Sequence, residues 1–352
     1  MKNILFSFLW IIANSSQAQK VDLDPFKFNL EYRDLPHDIF DSSLKSFTPI
    51  IQLTPFTKEH ISEEVVASKL LIHGYERNNS NADIQFVFYM SDITILEFDI
   101  LETVTESKNR DGTINKKYSY FGVLKYRLSA IAYLRNKAGK DLVRRTDLIL
   151  NNPLQPLIWK SKEFNTSSAA SQYMKDNIEI INGNLLRENL DKAIVDANHW
   201  ANYCIGFPLK KDNVQLWLLD SKNHPEYENM HKRWNSLKIS LQEITAVSIN
   251  EDIKSAIIEA IKYFDNIKLT YNSQEKADKK MRYAAFYNNA QLYLILDKPE
   301  EAKKEAEGLI VNDYDAKDGE RIRKQAEGLS ELFKKHDIYT RHFEAMQRPY
   351  RR

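Results

Sequence analysis

The chain has 352 residues, enough for two domains of ordinary size. Its 50 Lys and Arg stand against 49 Asp and Glu, and a net charge of +1 excludes the strong field that nucleic-acid or acidic-lipid binding requires. Only 9 glycines against 18 tyrosines and 17 phenylalanines argue for packed cores over disorder.

Lys2 is a minimal positive start, Ile4 to Ala13 an apolar run, and Ser16-Gln17-Ala18 the small-x-small pattern that a signal peptidase reads. The apolar run is about half of the roughly twenty residues that span a bilayer. Residues 1–18 are therefore expected to be a cleaved signal peptide, with the mature chain periplasmic or outer-membrane associated. No second long apolar stretch follows, so no transmembrane span is expected in the mature chain, which leaves peripheral association with a membrane complex. Cys204 is the one cysteine. It fits an exported bacterial protein that relies on its core, and reads as a small hydrophobe beside Trp200 and Tyr203.

From residue 21 to 150 alternation dominates, and the region is expected to be an antiparallel β-sandwich. Phe26, Phe28, Leu30 and Tyr32 alternate with polar residues, the pattern of a half-buried strand. Pro49 and Pro55 bracket a short edge strand, Ile50 to Leu53. Leu70 to Tyr75 and Asp83 to Met90 read as strands around the polar turn Arg77 to Asn81. The longest alternation runs from Tyr118 to Leu134, between the turn signals Arg110-Asp111-Gly112 and Asn136 to Gly139.

Residues 151–165, with Pro153 and Pro156, form the expected linker. Asn165 to Ser168 then offers N-cap chemistry, and the period over 166–336 is helical. Met230, Trp234, Leu237, Leu241 and Ile244 make one apolar stripe. Ser248 to Glu251 has the form of a capping box before Ile253, Ile257, Ile261 and Phe264. Ile322, Ala326, Leu329 and Phe333 form a narrow stripe on a charged last helix, as a closing repeat needs. Residues 337–352 are expected to be a loose tail.

Phe286, Ala290 and Tyr293 set an aromatic, a small residue four later and an aromatic three beyond. Pro299 then opens a second helix carrying Ala302, Ala306 and Leu309. The stretch 281–314 resembles a tetratricopeptide repeat, with Asn289 where the repeat usually has Leu and Tyr314 where it closes with Pro. Leu190 to Trp200 resembles the second helix of an earlier unit. The resemblance implies a helical-hairpin array, and with the alternation over 21–150 the chain is expected to be α+β, an N-terminal antiparallel β-sandwich followed by that array. It implies a groove for a partner segment, with Tyr287, Asn288 and Gln291 facing it. Export signal, β-domain and helical repeat together resemble accessory proteins of the Bacteroidota envelope, around secretion, gliding or outer-membrane assembly.

Chemistry-bearing residues do not gather in the sequence. His224 and His231 match no zinc spacing, His73 reads as a structural histidine, and His199 beside Trp200 would carry chemistry only with an acid brought to it by the fold. Phosphate-binding and nucleophile-elbow glycine patterns are missing. Asp22 with Asp24, or Asp313, Asp315 and Asp318, read as turn-shaping more than calcium-binding. No enzyme, metal or cofactor is expected. The expected role is a non-catalytic exported envelope scaffold whose partner is an envelope protein or peptide segment, with no nucleic acid. The alternative is a glycan-binding protein or divergent glycoside hydrolase, with Tyr89 and Tyr133 as stacking platforms.

Overall fold

The structure is a computed structural model and describes residues 20–349 apart from 39, 40, 42, 151 and 153. The expected signal peptide, residues 1–18, lies outside the described residues. In chain order the elements are β1 (Leu23–Arg33), β2 (Ser46–Leu53), α1 (Pro55–His60), α2 (Glu63–Lys69), β3 (Glu76–Arg77), β4 (Ile84–Met90), β5 (Thr94–Lys108), β6 (Ile114–Arg127), β7 (Ala130–Asn136), β8 (Thr146–Ile149), β9 (Leu157–Lys160), α3 (Ser167–Ile205), β10 (Leu209–Leu219), α4 (Tyr227–Gln242), α5 (Glu251–Thr270), α6 (Lys276–Ile295), α7 (Pro299–Asn312) and α8 (Ala316–His336). The fold is mixed α+β. It divides into a sheet unit, residues 34–208 with 345–347, and a helix unit made of the segments before 34 and after 208.

In the sheet unit five strands run in the order β3-β2-β4-β7-β8, and β2 is parallel to both β3 and β4. The remaining pairs of the unit are antiparallel, and the parallel pairs of β2 correct the expected antiparallel sandwich in part. Parallel strands need a crossover, and α1 and α2 supply it between β2 and β4. Pro49 is tolerated because β3 flanks β2 only at Ser46 and Phe47, leaving one edge of β2 open at the proline. A second, antiparallel sheet has the order β5-β6-β9.

The two sheets share a bend. Ser91 donates its backbone N–H to the Ser129 carbonyl at 2.9 Å, and Ser129 donates its own to Ser91 Oγ at 2.8 Å. The expected single strand from Tyr118 to Leu134 is therefore two, β6 and β7, in different sheets. Its alternation survives the bend because Leu124, Tyr126, Leu128, Ala130, Ala132 and Leu134 are all buried.

Helix α3 covers these strands and belongs to the sheet unit, not to the helical array in which it was expected. The Thr166 hydroxyl accepts from the Ala169 amide at 3.1 Å and starts it. Gly122 on β6 lets it approach closely: a Cβ there would lie 2.4 Å from Met174 Sδ. The segment after α2, expected as a strand over Leu70 to Tyr75, is not a strand. Its backbone instead pairs with two asparagines one helical turn apart on α3. Leu71 and His73 donate to Asn198 Oδ1 and Asn202 Oδ1 at 2.9 and 2.8 Å. The amides donate back to the Lys69 and Leu71 carbonyls, each at 2.9 Å.

In the helix unit β1 and β10 form a two-stranded antiparallel ribbon registered from Leu23↔Leu219 to Arg33↔Leu209. Placing β1 in a 21–150 β-domain is thus also corrected, because its only strand partner among the described residues lies far downstream. Phe26 meets Trp234 of α4 edge-on, with ring centroids 4.4 Å apart. From α4 to α8 each helix packs on the next. The expected capping box led by Ser248 is corrected by two residues: Asn250 is the N-cap of α5, and its side chain accepts from the Ile253 amide at 2.8 Å. Between α6 and α7 the Phe286 ring lies against Gly308, where a Cβ would come within 2.3 Å of it.

Residues 337–344 are not the loose tail expected from their position and charge. Ile338 and Phe343 are buried. Arg341 Nε donates to Asp297 Oδ1 at 2.7 Å, and the same guanidinium reaches the Leu294 carbonyl at 2.7 Å. A buried, bidentate-capable cation with a carboxylate and a carbonyl to hold it anchors the segment where sequence position alone predicts fraying.

Candidate functional site

The three positions expected to face a partner all lie in the helix unit and are all buried: Tyr287, Asn288 and Gln291. What faces them is the chain's own ribbon. Asn288 accepts from the Trp217 backbone N–H at 2.7 Å and donates to the Trp217 carbonyl at 2.8 Å. Its amide thus occupies the outer edge of β10 as a neighbouring strand would. The Trp217 ring lies 6.1 Å from both Tyr283 and Tyr287. The expected partner-facing role of Asn288 is corrected on this geometry, since its donor and acceptor are both used within the chain.

Beside this contact a cleft of about 440 Å3 remains, lined by Lys27, Tyr32, Asp212, Tyr287, Gln291 and Arg321 among others. Several of its polar groups are matched locally. The Arg321 guanidinium donates to Asp318 Oδ1 at 2.8 Å and to the Tyr287 hydroxyl at 3.3 Å. Burial pushes the Tyr287 hydroxyl above its ordinary pKa, with Arg321 opposing. Tyr32 donates to Asp212, and the Arg341 guanidinium lies 4.2 Å from the centre of the Tyr32 ring. These groups are hydrogen-bond donors and acceptors already engaged with one another. Arg321 ties α8 to α6, Tyr32 with Asp212 ties the two ribbon strands to each other, and Arg341 packs the C-terminal segment on the ribbon.

Other sequence candidates also resolve into structural roles. Burial pushes the Cys204 thiol up to about 12, with Asp38 adding to it, which makes it unreactive. The His231 ring bonds the Leu219 carbonyl at 2.8 Å. His224 accepts from the Glu226 amide at 3.2 Å, and its pKa is lowered by burial. Asp318 accepts from the Tyr283 hydroxyl at 2.7 Å as well as from Arg321. On the sheet unit, the Arg135 guanidinium lies 4.3 Å from the Tyr133 ring centre, and Tyr133 bonds Gln52 Oε1 at 3.3 Å. One face of that ring is thereby covered.

The surface left open is in the sheet unit, on the β5–β6 hairpin. Strand β5 is an edge of its sheet and pairs with β6 from Thr94↔Arg127 to Lys108↔Ile114. Gly112, at φ 87, closes the turn. Ile95, Leu96, Phe98, Leu101 and Val104 on β5 are all exposed, with Ile114 and Tyr118 on the facing arm. Large apolar side chains exposed on both faces of a strand that has an open edge among the described residues, Phe98 and Val104 on one face and Leu101 on the other, are what a docking strand presents and what a free monomer ordinarily avoids. Sequence periodicity missed β5 because its apolar residues fall on both faces, Phe98 and Val104 on one and Leu101 on the other, and almost the whole strand is exposed, so no half-buried alternation is written into it. The signal that was available is indirect: a turn at Arg110-Asp111-Gly112 requires a strand before it as well as after.

No protein-family model matches the chain, and no curated protein matches it significantly.

Proposed function

We propose that the chain is a non-catalytic, exported interaction protein of the bacterial cell envelope, a scaffold that holds another envelope protein through the β5–β6 hairpin. The observation that carries this reading is the edge strand β5 with its five exposed large apolar side chains. Supporting the helical-repeat part of the reading is the α6–α7 hairpin, where Ala290, Ala302 and Ala306 are fully buried and Phe286 seats on Gly308. In this reading the repeat's groove is occupied by the chain's own ribbon, and the docking function passes to the strand edge. The export signal and the resemblance to secretion, gliding or outer-membrane assembly accessories supply the setting.

The test is site-specific photocrosslinking in native envelopes, with the crosslinker at Leu101 and a control at Lys324 on α8. The reading expects a discrete adduct from position 101, mapped by mass spectrometry to a segment of an exported protein, and none from position 324. Equal, diffuse labelling from both positions would sink it and direct attention to glycan arrays and hydrolase assays.

A further inference from the structure

Strand β5 already shows, on its inner edge, what kind of strand it accepts. Glu97 lies opposite Lys125 and Glu106 opposite Lys116 in the β5–β6 register. Both pairs close into ion pairs, at 2.6 and 3.0 Å. Between them Phe98 faces Leu124 and Leu101 faces Phe121. The strand is acidic along its length, with Glu97, Asp99, Glu102 and Glu106 against the single lysine Lys108. Asp99 is exposed, and its carboxylate accepts only from the backbone amide of Ile100 among the described residues, at 2.7 Å.

A strand edge can be extended by another strand, whose main chain supplies affinity and whose alternate side chains supply selectivity. Like charges across a strand pair are unfavourable and opposite charges favourable. A second copy of β5 would bring four more carboxylates and one more lysine to the same edge. A segment that sets Lys or Arg opposite Glu97 and Asp99, which share one face of β5, would place opposite charges across the outer edge, as Lys125 does opposite Glu97 across the inner one.

We propose that the outer edge of β5 takes up an extended partner segment of alternating apolar and basic residues, adding it as a fourth strand beside β5, β6 and β9. This rests on the reading of the hairpin as the docking surface and specifies the chemistry of the occupant.

The experiment uses the full mature chain and four fluorescent synthetic peptides of equal length: alternating Val and Lys, the same with Glu for Lys, a blocky rearrangement of the Val/Lys composition, and the Val/Lys peptide N-methylated at alternate residues. Anisotropy titrations should show binding of the first alone. That binding should weaken with added salt, and Asp99→Lys should weaken it about tenfold as one attractive cross-strand pair turns repulsive. Equal binding of the blocky or N-methylated peptide would overturn strand addition, and equal binding of the Glu peptide would overturn the charge preference. Self-association of the unliganded chain through residue 101, seen by sedimentation and crosslinking, would overturn it in favour of a second copy. If a discrete adduct forms at Leu101 in envelopes while the Val/Lys peptide fails to bind, the docking surface stands and the proposed occupant falls. Binding of the peptide without any envelope adduct would give the reverse result.

Discussion

Asparagine amides stand in for absent strands in this chain. Asn198 and Asn202 bond the backbone of residues 69–73 from α3, and Asn288 bonds Trp217 from α6. A buried backbone donor or acceptor left unpaired costs about 1–3 kcal/mol. Asn202→Ala and Asn288→Ala should each lower stability by about that amount, measured as a shift in urea midpoint with unchanged slope. Loss below a few tenths of a kcal/mol would mean that water replaces the amide. Asn289, the departure from the repeat pattern, has a similar logic, since its amide donates to Asp265 Oδ1 at 2.8 Å from a fully buried position. No periodicity announces such roles. An asparagine on a helix reads as neutral or mildly unfavourable until the segment it bonds is seen.

His342 is a titrating counterpart at the same scale. Burial lowers its pKa from the ordinary 6.5, against the opposing pull of Asp297 and the Thr245 carbonyl, with Arg341 adding to the lowering. Its Nδ1 bonds the Thr245 carbonyl at 2.7 Å. A lowered folded pKa means the unfolded chain takes up the proton first as pH falls. Stability should therefore decline as pH falls below about 6.5 and level off under the folded value. His224 is lowered by burial too and acts with the same sign. Urea midpoints at about pH 7.5 and about pH 5.5 should differ less in His342→Gln than in the parent chain, and less again with His224→Gln added. An unchanged difference would remove these two histidines from the account.

At the level of elements, the helices were legible wherever an apolar stripe met a cap. The stripe Met230, Trp234, Leu237 and Leu241 is buried on α4. Pro299 opens α7, and Asn250 caps α5. Strands were legible where alternation was unbroken, as in β1 and β4. Pairing was not legible, because β1 and β10 are joined only through tertiary structure, and the bend at Ser91 and Ser129 keeps the same face buried on both sides. Two glycines separate propensity from packing. At Gly328 on α8 nothing lies within 4 Å of where a Cβ would sit, so Gly328→Ala should stabilise by about 0.5–1 kcal/mol through helix propensity. At Gly308 the Phe286 ring occupies that space. Gly308→Ala should destabilise by about 1 kcal/mol net, overpacking outweighing the same propensity gain, as read by thermal or urea unfolding. Stabilisation at both positions would show that the α6–α7 contact yields freely.

For the whole molecule, composition and the N-terminal segment bear on compartment, while the periodicities bear on class, an α+β chain of sheet and helix. The candidate site was half legible. Tyr287 and Gln291 do border a cleft, yet the groove expected there is filled by a ribbon whose second strand, β10, had no strand reading. The open surface is instead β5, hidden because its apolar residues fall on both faces. An edge strand of a three-stranded sheet should leave alternate amides unprotected, while β6 is flanked on both sides at Val123 to Tyr126. Residue-resolved hydrogen exchange on the chain, alone and with native envelope extract, tests this most directly. The account predicts fast exchange at alternate amides of residues 94–108 in the free chain and protection of those same amides on adding extract. Protection that appears instead around the cleft of Lys27, Gln291 and Arg321, with β5 unchanged, would contradict it.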